Sequence, residues 1–186
     1  MASVRGRQRQ LSLWGAFAAG TTLGGAATGL GLGVLAGLVS PVPPQVRLVL
    51  LVVLVVALVL LDAVTPRLPL PQRSILIPQE VFARGMARGG LRFGLEYGCG
   101  WRTLVPSAAA YLAAVFVLLV VPPWWVAVVL GAAFGLSRSW AVLLSICLGS
   151  PGWQAFLAGH SRVLERTGSA LAGVLLLAAA WSRLGG

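Results

Sequence analysis

Residues 46–64 read VRLVLLVVLVVALVLLDAV, an almost unbroken run of leucine and valine. A helix of roughly 20 apolar residues is long enough to cross the ~30 Å hydrocarbon core of a bilayer. Arg47 and Asp62 are the only charged residues of the run, and each lies close to one of its ends. The run lacks the period-two alternation of a membrane β-barrel strand. It therefore predicts a transmembrane helix in an all-α protein.

Composition extends this prediction to the whole chain. Hydrophobic residues make up 58% of the 186 residues and charged residues only 10%, whereas a soluble domain carries about 25% charged residues. The mean hydropathy is +0.92. We expect residues 1–186 to form a single integral membrane domain, a polytopic helix bundle whose main partner is the lipid bilayer.

The basic residues predict the orientation of this bundle. The net charge is +10, and all 14 basic residues are arginine. They lie between apolar runs without an RRM or zinc-finger pattern, so we expect no nucleic-acid partner. Arginine is concentrated in residues 1–10 and in the loop 65–92, whereas the turn between the first two spans has only Arg47, at the start of the quoted run. The positive-inside rule then predicts that both arginine-rich segments are cytoplasmic, in a bacterial inner membrane.

Other apolar runs predict the remaining spans. Leu11–Val39 exceeds the ~7–15-residue core of a signal peptide, so we expect a retained helix that ends at the proline-rich turn Ser40–Pro44. After the quoted run, Gln79–Arg88 predicts a short amphipathic helix on the membrane surface. Phe93–Val121 is the next span, and Trp124 with Trp125 would mark an interfacial aromatic belt.

The C-terminal third allows two interpretations. Trp124–Leu148 is either one span or is broken at Gly135–Ser139, and a last span covers Thr167–Trp181. The positive-inside rule favours the unbroken form, with five spans. A central arginine costs at least ~2.5 kcal/mol in a span, so Arg138 favours the broken form. We predict six spans, with His160 in a loop.

Glycines in the first span recur every fourth residue and so lie on one stripe of a helix. Missing side chains allow the backbone of a neighbouring helix to approach such a stripe closely. The pattern predicts helix packing at Gly25, Gly29, Gly33 and Gly37, with Gly20 and Gly24 as a further pair.

One spacing occurs twice along the chain. Thr22 precedes Pro41 by nineteen residues, and Thr103 precedes Pro122 by the same number. Each Thr-Leu pair is followed by an apolar helix, a proline turn and a second helix. Repeated units of this kind are common in transporters, so the spacing is consistent with a duplicated helix hairpin.

The segment 93–107, FGLEYGCGWRTLVPS, is the most polar part of a predicted span. Its glycines at 94, 98 and 100, together with Pro106, predict a broken helix, which at membrane depth must be buried in protein or line a wet cavity. Glu96 and Arg102 could meet across such a break. We take these two residues, with Asp62 and Arg138, as candidates for a substrate path or ion pair.

The two cysteines are a second kind of candidate. Cys99 and Cys147 lie in different predicted spans and could form a reversible disulfide. No Cys-x-x-Cys motif accompanies them, and Walker loops, catalytic triads and zinc-ligand spacings are absent from the sequence. We therefore expect no metal or cofactor, and an enzyme activity is not indicated.

Around these glycines the chain resembles the transmembrane domain of the CcdA/DsbD thiol-disulfide transporters, within the LysE-type superfamily. Cys99, Pro106, Tyr111 and Leu112 carry the resemblance, although no proline precedes Cys99 here. The segment Phe93–Tyr111 is also similar to small uncharacterised actinobacterial membrane proteins. The first resemblance implies redox exchange across the membrane.

Three functions are compatible with these observations. The predicted broken helices, the repeat and the polar candidates favour a small transporter or exporter-like protein. The glycine stripe favours an accessory or scaffold subunit, packed against another membrane protein or against its own copies. The two cysteines would serve a thiol-disulfide carrier.

Overall fold

The computed structural model describes residues 2–64, 85–100, 108–148 and 150–184. These residues form six α-helices, as the composition predicts. In chain order the helices are α1 (Ala2–Val39), α2 (Pro44–Val64), α3 (Met86–Gly98), α4 (Ala109–Val120), α5 (Trp124–Leu148) and α6 (Ser150–Leu184).

Three of the helices contain segments long and apolar enough to cross a membrane, namely Gln10–Val39, Pro44–Val64 and Trp124–Cys147. This finding is consistent with a membrane protein. The proline-rich turn ends α1 at Val39, as predicted. At its other end α1 extends back to Ala2, because the arginine-rich residues before Leu11 are good helix formers.

The break expected at Gly135–Ser139 is wrong, because α5 is one continuous helix of 25 residues. The argument for six spans rested on that break, and the fold does not confirm that number. His160 is also not in a loop, since α6 starts just before Pro151 and continues through this residue. Proline near the first helical turn lacks only an amide that has no partner there anyway. A bend of 42° separates Gly152–Leu164 from Arg166–Arg183.

The segment before α4 agrees only in part with the predictions. Within the helix expected at Gln79–Arg88, the residues from Met86 onward are helical and belong to α3. Residues 79–84 lie outside the described residues. The described part of the predicted loop 65–92 is therefore mainly the start of α3. The predicted break after the glycines is confirmed, because α3 ends at Gly98 and Gly100 adopts a left-handed φ of 67°.

The chain folds into two compact units, each built from three stretches of sequence. Unit 1 comprises Met1–Thr28, Gln72–Leu104 and Val128–Gly159, and unit 2 comprises Gly29–Pro71, Val105–Ala127 and His160–Gly186. The long helices α1, α5 and α6 each contribute residues to both units.

In unit 1, α1 and α3 pack with their backbones in contact. A Cβ atom at Gly94 would clash with the Phe17 carbonyl and lie 3.0 Å from Gly20 Cα, and one at Gly24 would clash with the Leu95 carbonyl. Three pairs, Leu13 with Gly90, Phe17 with Gly94 and Thr21 with Gly98, advance together along the two helices. The two helices are therefore parallel.

Helix α5 packs against α1 in the opposite direction. A Cβ at Gly135 would clash with the Thr21 carbonyl, and one at Gly25 would clash with the Gly131 carbonyl. Earlier in α1, Trp14 Nε1–H donates to the Ser139 carbonyl at 2.9 Å. Successive contacts from the start to the end of α1 are made with residues of decreasing number in α5, so this pair is antiparallel.

The predicted glycine stripe therefore has members in different surroundings. Gly25 makes the backbone contact with α5 described above, and Gly29 is buried. A Cβ at Gly33 would lie 3.2 Å from Ala127 Cβ in unit 2, whereas the space around Gly37 is open. Close approach thus begins earlier in α1 than the stripe alone suggests.

In unit 2, α2 and α4 form the central pair. Arg47 near the start of α2 donates to the carbonyl of Leu119 near the end of α4, so the helices are antiparallel. Val55 and Leu112 are buried in the middle of these helices, and both side chains lie within 4 Å of the position that a Cβ at Gly173 of α6 would occupy.

Two glycines on the same face of α3 give a matched test of this packing. We expect Gly94→Ala to lower the free energy of unfolding by about 1–3 kcal/mol, because the methyl group would force the backbones apart. Gly90→Ala is the control, since its Cβ would find its nearest neighbour at 3.6 Å. We expect that control to be neutral or to gain up to ~1 kcal/mol of helix propensity.

Thermal unfolding of the purified protein in a mild detergent measures both variants. Equal behaviour of the two variants would show that α1 and α3 are not in backbone contact.

Candidate functional site

The polar residues of unit 1 meet at the C-terminal end of α3. The last carbonyls of a helix have no partner within it and carry a partial negative charge. Here Cys99 N–H donates to Leu95 O at 3.1 Å and Gly100 N–H to Tyr97 O at 3.3 Å, which closes the final turn. This end of the helix lies beside α1 and α5 within the unit.

Arg138 near the middle of α5 reaches this helix end. Its Nη1 donates to the Tyr97 carbonyl at 2.9 Å, and its guanidinium carbon lies 3.9 Å from the centroid of the Tyr97 ring. The Phe134 ring is 5.7 Å away, also from α5. A cation at a helix C-terminus is stabilised by the helix dipole, and a cation over an aromatic face by the ring quadrupole. These contacts explain how α5 contains an arginine without breaking.

Tyr97 is itself held by an aromatic cluster. The Phe17 ring of α1 lies 5.6 Å from the Tyr97 ring, and the Phe93 ring lies 6.1 Å from it, one turn earlier on α3. Phe17 and Phe93 also contact each other at 5.8 Å. Aromatic pairs at these separations are attractive beyond their buried area. The ring under Arg138 is therefore fixed from both α1 and α3.

Thr28 of α1 completes the polar environment. Its hydroxyl lies 3.1 Å from the Cys99 carbonyl and 3.2 Å from the Gly24 carbonyl, and can donate to either. The Cys99 thiol is directed at the same Gly24 carbonyl, at 3.5 Å. The end of α3 therefore brings carbonyls, a hydroxyl, a thiol and a guanidinium together, joined by hydrogen bonds.

The remaining sequence candidates are distributed differently. Glu96 forms an ion pair with Arg92, one turn earlier on α3, with 3.7 Å between Nε and Oε1. Arg92 is 64% exposed, so this pair adds little stability. Asp62 lies in the last turn of α2 in unit 2, and its Oδ2 is buried without a hydrogen-bond partner. Arg102, and with it the proposed meeting with Glu96, lies outside the described residues.

Neither cysteine forms a disulfide. Cys99 is half-buried against α1, and Cys147 is exposed in the last turn of α5. Trp101–Leu104 lies outside the described residues, as does Pro106, so the repeated hairpin stays a prediction. Within the ranges that the structure describes, no three His, Cys, Asp or Glu side chains group as metal ligands would.

Arg138 was a candidate from the sequence, whereas its partner Tyr97 was not predicted. The separation between Tyr97 and Arg138 carries no sequence signal, because the contact depends on how α3 packs. A signal for that packing was present, however. Gly90, Gly94 and Gly98 recur every fourth residue, as the glycines of α1 do.

Comparisons with known proteins provide no further assignment: no protein-family model, no curated protein and no solved structure matches this chain.

The contact between Arg138 and Tyr97 can be tested by a double-mutant cycle. We expect Arg138→Gln to lower the free energy of unfolding by about 1–3 kcal/mol, because it loses a charged hydrogen bond and the ring contact. Combined with Tyr97→Leu, the loss should be less than additive, with a coupling of about 0.5–2 kcal/mol.

Chemical or thermal unfolding in detergent measures the four proteins of the cycle. Ser137→Ala is the control, because the hydroxyl of Ser137 is exposed and bonds only within its own helix. Strict additivity, with a coupling near zero, would contradict the contact.

Proposed function

We propose that this chain is a multi-pass protein of the bacterial inner membrane with a transporter or exporter-like function, and that the end of α3 is its polar site. The observation that carries the proposal is the arrangement of Arg138. A charged residue in the middle of the apolar helix α5 donates to one C-terminal carbonyl, that of Tyr97, of the short helix α3. Interrupted helices and ionisable residues inside the apolar region are recurrent features of transporter sites.

A five-span topology accompanies this proposal. The spans are α1, α2, the interrupted segment Phe93–Val121, α5 and the C-terminal part of α6. The continuity of α5 favours five spans. Arg138 is stabilised by its contacts, so its burial cost is no longer a reason to expect a break in the helix. With the N-terminus in the cytoplasm, the segment 65–92, which ends in the first turns of α3, lies on the cytoplasmic side too, in agreement with the positive-inside rule.

An accessory or scaffold subunit is the second candidate, and a separate observation favours it. A Cβ at Gly31 or at Gly37 of α1 would meet no atom within 4 Å. Small residues on an open helix surface suit close packing against another transmembrane helix. In this alternative α1 would contact a partner protein or a second copy of the chain.

A liposome assay tests the transport proposal. Proteoliposomes are loaded with a panel of amino acids, organic acids and organic cations, and release is followed by mass spectrometry. We expect at least one solute class to leave faster than from protein-free liposomes, and Arg138→Gln to lower that rate on the order of tenfold or more, as the loss of a charged contact implies.

Arg183→Gln is the control for this assay, because Arg183 is exposed in the last turn of α6 and its loss should leave release unchanged. Release equal to that of empty liposomes for every solute, together with a stoichiometric partner after purification in mild detergent, would contradict transport and support the subunit.

A further inference from the structure

Arg47 is the most buried charged side chain among the described residues, and the site of α3 does not use it. It lies in the first turns of α2 in unit 2 and is only 9% exposed. In the described part of the chain no Asp or Glu forms an ion pair with it. A buried charge without an opposite charge is costly, so a residue of this kind calls for a ligand or an equivalent partner.

The hydrogen bonds of its guanidinium are incomplete. Nη1 donates to the Leu119 carbonyl at 3.3 Å, which partly satisfies the end of α4. Nε is buried without any hydrogen-bond partner. Nη2 makes no hydrogen bond to a described residue, and the residue keeps 9% of its surface exposed. A guanidinium has five N–H donors, and its fork matches the oxygens of a phosphate.

Two features of unit 2 are compatible with a position of Arg47 at a bilayer interface. Leu119, its partner, is followed along the chain by Trp124 and Trp125, whose side chains are 66% and 57% exposed. Exposed tryptophans concentrate at the level of lipid headgroups. On both sides of Arg47 along the chain, α2 exposes apolar side chains that suit acyl chains, namely Val46, Val49, Leu50 and Val53.

We propose that Arg47 binds the phosphate of a membrane phospholipid, with the acyl chains along the exposed apolar face of α2. The apolar face favours a lipid over a free phosphate, since only a lipid would cover both parts of the site. This inference rests on the membrane location proposed above, and it is independent of the transport site at Arg138.

The test uses the full chain, purified in dodecyl maltoside and depleted of lipid. Dioleoylphosphatidylglycerol is titrated, and binding is followed by native mass spectrometry and by the melting temperature. Dioleoylglycerol has the same acyl chains without the phosphate, and inorganic phosphate has the anion without the chains. We expect a raised melting temperature and a lipid adduct with the phospholipid alone.

Variants locate the site. We expect Arg47→Gln to weaken phospholipid binding on the order of tenfold, because a charged donor is lost. Arg47→Lys keeps the charge but loses the fork of the guanidinium, so its affinity should lie between those of Arg47→Gln and the unaltered chain. Arg183→Gln, in the same unit, is the matched control, and its affinity should equal that of the unaltered chain.

Three results would overturn the proposal: equal binding of dioleoylglycerol, equal stabilisation by inorganic phosphate, or unchanged affinity in Arg47→Gln. If Arg47→Gln does not fold, the comparison of the three ligands on the unaltered chain still decides. Failure of these tests would leave the solute-release assay unaffected, and a chain without transport could still bind the lipid.

Discussion

The carbonyl of Thr21 is the point on which the packing of unit 1 depends. Thr21 is fully buried, and a Cβ added at Gly98 of α3 or at Gly135 of α5 would clash with this single oxygen. Three backbones can meet this closely only where both facing residues lack a side chain. In lipid, apolar side chains gain little from contact with each other, so this approach and the dispersion contacts it permits are a main source of helix association.

Two arginines donate hydrogen bonds to the C-terminal ends of the short helices α3 and α4, each within its own unit. The last carbonyls of a helix have no partner within the helix itself. Arg138 donates to Tyr97 at the end of α3 in unit 1, and Arg47 donates to Leu119 at the end of α4 in unit 2. In both cases a carbonyl at a helix end stabilises a charge that is costly to place in an apolar helix. The charge in turn provides a hydrogen bond to a carbonyl that its own helix leaves without a partner. Arg138 also lies over the aromatic ring of Tyr97, whereas the Nε of Arg47 is buried without a hydrogen-bond partner.

Much of the fold follows from hydrophobicity and proline alone. The long apolar runs and the Ser40–Pro44 turn predicted α1 and α2 well, because span length and missing amide donors are local properties. The break in α5 was predicted wrongly, since the burial cost of Arg138 was judged without its partner on α3. That partner could not be inferred, because the pairing of helices is a property of the packed unit. The polar site was predicted near Glu96 and Arg102, and its described part centres on Tyr97 and Arg138.

Disulfide trapping tests the central claim, close parallel packing of α1 on α3, most directly. A Cβ at Gly90 would lie 3.8 Å from Ala16 Cβ, whereas one at Gly15 would meet no atom within 4 Å. The first separation is typical of a disulfide. In a Cys99→Ser, Cys147→Ser background, the pair Ala16→Cys and Gly90→Cys should form an intramolecular disulfide under mild oxidation, whereas Gly15→Cys with Gly90→Cys should not. Equal, low yields from the two pairs would contradict the packing on which the site at Arg138 depends.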